Sequence, residues 1–180
     1  MNTINLVREF QERFGCETHN RPVFDTKLSL LRLSLLREEL EELRLAVAEA
    51  DRVGVLDALT DLQYVLDGAF LALGYPKGPT PRVVVTGAAT LLLEKHIQGL
   101  AIGLMRCDRA LVECSLIWLQ VALDHAYSTQ GFQEVRDAAF LEVHRSNMSK
   151  LGADGKPLHA RDGKVVKGPN YSPPKLEAFV

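Results

Sequence analysis

The sequence predicts an all-α protein, an antiparallel helical bundle with an extra helical segment and an irregular carboxy-terminal tail. Three observations carry that prediction. From Lys27 to about Ala50 the chain is dominated by leucine, glutamate, arginine and alanine, with apolar residues at helical spacing. Two further apolar segments, roughly Thr86 to Met105 and Asp108 to Tyr127, are long enough for helices. Turn formers, by contrast, gather in a few stretches between such segments and after Leu151.

Taken in order, Thr3 can cap a first helix that runs to Phe14, and Gly15 stops it because glycine enters the left-handed conformation cheaply. Gly15 to Thr26 holds Asn20, Arg21, Pro22 and Asp25 and reads as a loop, after which Asp25 or Thr26 caps the second helix. Val53-Gly54 is expected to break the run. A third helix then covers Val55 to Leu73, closed by Gly74 with Pro76 soon after, so helices two and three form an antiparallel hairpin. Tyr75 to Arg82 is a glycine- and proline-rich connector to the two apolar helices, and Gln130-Gly131 punctuates before a last helix from Phe132 to Lys150. Residues 1–150 thus read as one domain. Residues 151–180, with Asp154-Gly155, Asp162-Gly163, Pro169, Pro173 and Pro174, read as an irregular tail with room for a short hairpin.

Composition removes several function classes. The chain has 180 residues, 47% of them hydrophobic, enough to bury a core and too apolar to remain disordered. Lysine plus arginine number 21 against 23 acidic residues, so no global basic field would draw the chain to polymeric nucleic acid or to a membrane surface. The start, Met1-Asn2-Thr3-Ile4, lacks a secretory signal pattern, and the expected compartment is the cytoplasm. Glu94, Lys95, His96 and Gln98 interrupt the apolar stretch from Val83 to Met105, which therefore reads as a core helix and not a membrane span. Cys16, Cys107 and Cys114 have no zinc-like spacing and read as reduced thiols.

The acidic residues stand out. At about 100° per residue, Glu38 at zero puts Glu42 near 40° and Glu39 near 100°, with Leu28, Leu31, Leu35, Leu36, Leu43, Ala46 and Val47 spread on either side of Glu39. A carboxylate within an apolar stripe costs several kcal/mol unless a basic partner, a raised pKa or a metal compensates it. On the third helix Asp57 and Asp61 fall about 40° apart beside an apolar arc, with Gly68 between them in projection leaving space for a ligand. Carboxylates facing each other across a helix pair suit a hard divalent cation shared with substrate phosphates. The bland reading is a solvated face paired with Arg37 and Arg44, which is favoured for Glu41 but fits Glu39 and Asp61 poorly.

Glu38-Glu39-Leu40-Glu41-Glu42 resembles the EExxE motif of the all-α nucleoside triphosphate pyrophosphatases, the MazG and phosphoribosyl-ATP pyrophosphohydrolase-like superfamily. Asp57 to Val65 resembles the second-helix motif of that superfamily, and Glu142 to Lys150 and Lys167-Gly168-Pro169-Asn170-Tyr171 resemble segments of one branch. The resemblance implies that Glu39, Glu42 and Asp61 ligate magnesium, with manganese able to substitute, and that Glu38 ligates or acts as base on the attacking water. It implies that His144, Asn147 and Lys150 of the last helix, and Tyr64, meet substrate, although a polar helix face and a packed tyrosine are the alternatives. The reaction would convert a nucleoside triphosphate to monophosphate and pyrophosphate. A deoxynucleotide, dGTP or dUTP first, is the expected substrate, and a homodimer or homotetramer the expected assembly.

Two departures matter. The usual second motif is ExxD, whose glutamate would fall at Ala58, so either Asp57 replaces it or the site has three ligands. The segment 83–130 is longer than the link in compact relatives and is expected to add a helix pair of use in oligomerisation. Two alternatives stay open. A di-iron carboxylate bundle would need ExxH motifs that the sequence lacks, and a non-catalytic helical interaction protein would leave the acidic residues in solvent.

Overall fold

The computed structural model describes residues 1–81 and 83–180. Its helices are α1 (Thr3–Arg13), α2 (Thr26–Ala48), α3 (Arg52–Leu73), α4 (Ala89–Met105), α5 (Arg109–Thr129) and α6 (Arg136–Met148), with a 3-10 turn at Glu177–Phe179. The fold is an all-α helical bundle. The expected elements are present with shifted ends, and each shift has a local cause. Asn2, not Thr3, precedes α1, and its side chain makes no capping bond. Asp25 caps α2 by accepting from the Leu28 N–H at 2.7 Å.

The expected break at Val53-Gly54 is not a break. The turn is made earlier by Ala50, whose φ is 57°, and Asp51 caps α3 by accepting from the Gly54 N–H at 3.0 Å. Gly54 is required inside that first turn because a Cβ there would lie 2.5 Å from Asp51 Oδ2 and 3.2 Å from the Ala46 Cβ. Gly74 ends α3 at φ 76°, as expected. The last helix is shorter than Phe132 to Lys150, since Phe132 is buried in the core ahead of it. The connector from Tyr75 to Arg82 is irregular as far as Pro81, and Arg82 lies outside the described residues.

α2 and α3 form one antiparallel hairpin and α4 and α5 a second, which packs against it through α4 on α2 and α5 on α3. α1 and α6 pack on α3 and on each other. α3 is therefore the axis of the core. From Val55 to Leu73 all its residues are buried except Asp57, Asp61 and Val65, which recur every four residues and form a single open stripe. The buried face of α2 is rotated from the projected stripe: Leu33 and Leu40 are buried, while Val47 is 42% exposed. The covering by α4 accounts for this, because it adds a second wall to α2.

The tail does form a short hairpin. His159 bridges Val165, and Asp162-Gly163 makes the turn, with Asp162 accepting from the Lys164 N–H at 2.9 Å. No helix of the described chain is long and apolar enough to cross a membrane. The three cysteines are free, Cys16 partly buried and Cys107 and Cys114 exposed.

Candidate active site

The open stripe of α3 lies against the acidic part of α2, and the tail folds over both. The result is a cleft, open to solvent, whose floor carries Glu38, Glu39, Glu42, Asp57 and Asp61. Asn147 and Lys150 at the end of α6, with Lys164 and Lys167 from the tail, form its other side. Acidic groups thus come from two rigid helices, and basic groups from a helix end and a loop.

Burial of the acidic groups is uneven, which sorts them chemically. Glu39 is partly buried, and its carboxyl is pushed up to about 9 by desolvation first and then by Asp61, Glu42 and Glu38. Asp61 is raised to about 7, again chiefly by desolvation and then by Asp57, with Lys150 opposing. Asp57 is also raised, by burial and by Glu42, and its Oδ1 is buried without a hydrogen-bond partner. Among the described residues none of these three makes an ion pair. Glu42 is exposed on the rim. Glu38, exposed at the edge of the floor, is paired with Lys164, whose Nζ donates to its two oxygens at 2.5 and 2.6 Å. Glu41 points away and pairs with Arg44 at 2.5 Å, the solvated role expected of it.

Ala58, where a glutamate was expected, is buried in the core at 2% exposed, whereas Asp57 opens into the cleft. Position 57 therefore presents the second aspartate on this face. His144 lines neither this cleft nor its extension. It is buried behind Tyr64, whose hydroxyl lies 3.0 Å from Nδ1, with Nε2 3.6 Å from Glu9. Tyr64 itself is 5% exposed, packed against Phe140 and edge-on to Phe10. It contributes one wall of the extension described next.

Asp61 and Glu39 also bound a second, smaller cleft, which runs along the α2–α3 groove toward Gln11, Arg32 and Gly68. The two clefts share Glu39, Asp61, Asn147, Lys150, Lys164 and Val165, so they form one continuous groove. Sequence reasoning gave no role to Gln11, Arg32, Lys164 or Lys167, although Lys167 opens a tail segment that resembles one branch of the superfamily. Lys164 had a local signal in the Asp-Gly turn before it, and Arg32 in its place on the apolar stripe of its helix.

The donor set fits a hard divalent cation. Every acidic group on the floor offers oxygen, no histidine enters the cleft, and the buried Asp57 Oδ1 and the raised Glu39 and Asp61 all want a positive neighbour. In the metal-free geometry no three Asp, Glu, His or Cys side chains among the described residues converge as a ready-made cage.

Residues 7–77 match the family model described as phosphoribosyl-ATP pyrophosphohydrolase, a domain of the all-α MazG-like nucleoside triphosphate pyrophosphatase superfamily. The matched segment contains α2, α3 and the later part of α1, hence all of the acidic floor. Neither a curated protein nor a solved structure matches the chain.

Proposed function

We propose that the chain, whose residues 7–77 carry a domain of the phosphoribosyl-ATP pyrophosphohydrolase type, is a metal-dependent diphosphatase of nucleoside triphosphates. The substrate class is a (d)NTP, a deoxynucleotide such as dGTP or dUTP, and the products are the monophosphate and pyrophosphate. One observation carries the reading. Glu39 and Asp61 face each other across α2 and α3, partly buried and without a basic partner of their own, within reach of three lysines.

Each group has a role in that reaction. Magnesium, or manganese in its place, held by Glu39, Glu42, Asp57 and Asp61, would supply charge neutralisation along the phosphate chain. Lys150, Lys164 and Lys167 draw the phosphate oxygens onto the floor, and the Asn147 amide donates to one of them. Water attacks the α phosphorus in line, the bond from that phosphorus to the bridging oxygen breaks, and pyrophosphate leaves. The proton of the water passes to a floor carboxylate, Glu38 or Glu39. Glu38 is the group that substrate frees, because phosphate competes for Lys164. His144 holds the Tyr64 ring in place and does not touch phosphate.

The test is a panel of NTPs and dNTPs with magnesium and with manganese, followed for monophosphate and pyrophosphate. Release of pyrophosphate in metal-dependent fashion is expected, and a panel with no turnover at all would remove the proposal. Such an enzyme acts on a nucleotide pool, which belongs to the cytoplasm. Leu91, Ile102, Met105 and Trp118 lie exposed on α4 and α5, and we assign that surface to a homodimer or homotetramer contact. Sedimentation equilibrium showing only monomer would remove the assembly and leave the chemistry standing.

A further inference from the structure

Seven residues before Glu39 on α2, and seven after Asp61 on α3, the groove ends at Arg32 and Gly68. Two helical turns on each wall place this end about 10 Å from the acidic floor, the separation that a ribose and a base bridge between phosphate and base edge. The register is fixed at both ends of the hairpin. A Cβ on Gly54 would touch Ala46, and one on Gly68 would lie 3.2 Å from Arg32 Nη1 and 3.1 Å from Gln11 Nε2. Glycine at 68 thus makes room for those two side chains.

Both are nearly closed to solvent, Arg32 at 7% and Gln11 at 1% exposed. Gln11 donates from Nε2 to the Gly68 carbonyl at 3.1 Å, which orients the amide and leaves Oε1 buried with no donor. Arg32 Nε is buried with no acceptor, and among the described residues the guanidinium has no carboxylate within ion-pair distance. Burial of an unpaired arginine and an unpaired amide oxygen is costly, and each calls for a partner. The surrounding walls, Phe10, Leu35, Tyr64 and Val65, are flat and apolar.

We propose that Arg32 and Gln11 read the base of the substrate and select a 6-oxopurine, guanine or hypoxanthine. This rests on the diphosphatase reading of the same groove. A guanidinium fork matches two adjacent acceptors, and the 6-oxopurine edge offers O6 beside N7. The neighbouring N1–H then donates to Gln11 Oε1, so both orphaned groups are satisfied by one ring. Adenine turns an amino donor toward the arginine. Uracil has no two adjacent acceptors, and cytosine, whose O2 and N3 lie beside its amino group, is a single ring that reaches less far along the roughly 10 Å between the acidic floor and Arg32.

The experiment compares kcat/KM for dGTP, dITP, dATP, dCTP and dUTP in the wild type, Arg32→Gln, Gln11→Leu and Gly68→Ala, alongside equilibrium binding of dGMP and dAMP. Wild-type preference for dGTP and dITP over dATP of roughly 10²-fold or more is expected, by analogy with sites whose buried polar groups reject a ligand that leaves them unpaired. Each variant should compress that ratio to within about tenfold. Circular dichroism identifies any variant that fails to fold, and Gln11→Leu, which removes no charge, is the arm least exposed to that outcome. Equal turnover of all bases by the wild type, or variants that slow every base by the same factor, would overturn the assignment. If no triphosphate is hydrolysed, the diphosphatase reading fails by itself, and the monophosphates decide. Tighter binding of dGMP than dAMP, lost in Gln11→Leu, supports base selection, and equal binding overturns it.

Discussion

Glu39→Gln separates a carboxylate kept for a cation from one that merely decorates a helix. In the metal-free protein Glu39 is raised to about 9 from an ordinary value of 4.5, so the folded state holds its proton over a pH range where the unfolded chain has released it. The stability from that protonated carboxyl is complete below about pH 4.5 and drains away as pH rises toward 9. At about 1.36 kcal/mol per pH unit, the loss at pH 7.5 approaches roughly 4 kcal/mol as an upper bound, and partial solvent access reduces it to about 1–3 kcal/mol. Glutamine carries no such charge. Metal-free Glu39→Gln is therefore expected to be more stable than the wild type at pH 7.5 by about that amount, or roughly 3–10 °C in Tm, with no advantage at pH 4.5. Magnesium removes or reverses that advantage, because a ligand at 100 times its dissociation constant adds about 2.7 kcal/mol to the wild type alone. Turnover should drop roughly 10²-fold or more. Thermal melts at two pH values, with and without magnesium, together with one rate measurement, test all of this. A variant less stable than the wild type at pH 7.5 without metal, or one with unchanged turnover, refutes the reasoning.

Asp61→Asn should behave likewise, gaining metal-free stability at neutral and higher pH while losing turnover, since its carboxyl is raised to about 7 by burial and by Asp57. Lys164→Ala is expected to leave stability within about 1 kcal/mol, because its pair with Glu38 is half exposed on both sides, yet to raise KM for triphosphate about tenfold. Michaelis kinetics beside a melt distinguish that from a structural role. Gly74→Ala should cost at least about 2 kcal/mol, because φ is 76° and a Cβ would overlap the Arg21 carbonyl. Denaturant titration measures it, and an unchanged midpoint would contradict the close approach of the Arg21 carbonyl to Gly74.

The helices were legible because their causes are local. Apolar spacing, an aspartate ahead of each of α2, α3 and α5, and Gly74 behind α3 suffice to place them within a few residues. Misplaced ends trace to information that is not local. Gly54 looked like a breaker because glycine usually is one, yet here it clears space for the Asp51 cap and for Ala46 on the facing helix. The projected stripe on α2 missed Leu33 and Leu40, since a sequence does not announce that α4 will cover a second side.

Site legibility follows the same division. Glu39, Glu42, Asp57 and Asp61 could be found because each conflicts with, or borders, the apolar pattern of its own helix, and two such helices in a hairpin must confront each other. Arg32 conflicts with that pattern just as strongly, at 7% exposed among Leu28, Leu33 and Leu36, but a lone arginine on a charged helix reads as a surface residue until the facing position is known. That facing position is Gly68, and its missing side chain leaves the space that Arg32 occupies. Asp57 and Ala58 show the converse. Spacing alone favours position 58 by family pattern, yet the helix turns position 57 into the cleft and 58 into the core, so the ligand set is decided by rotation about α3 and not by the motif. What a motif transfers between proteins is a choice of residue types. Which of them meet is set by the packing of α1, α2 and α6 on the one helix that is buried on nearly every side.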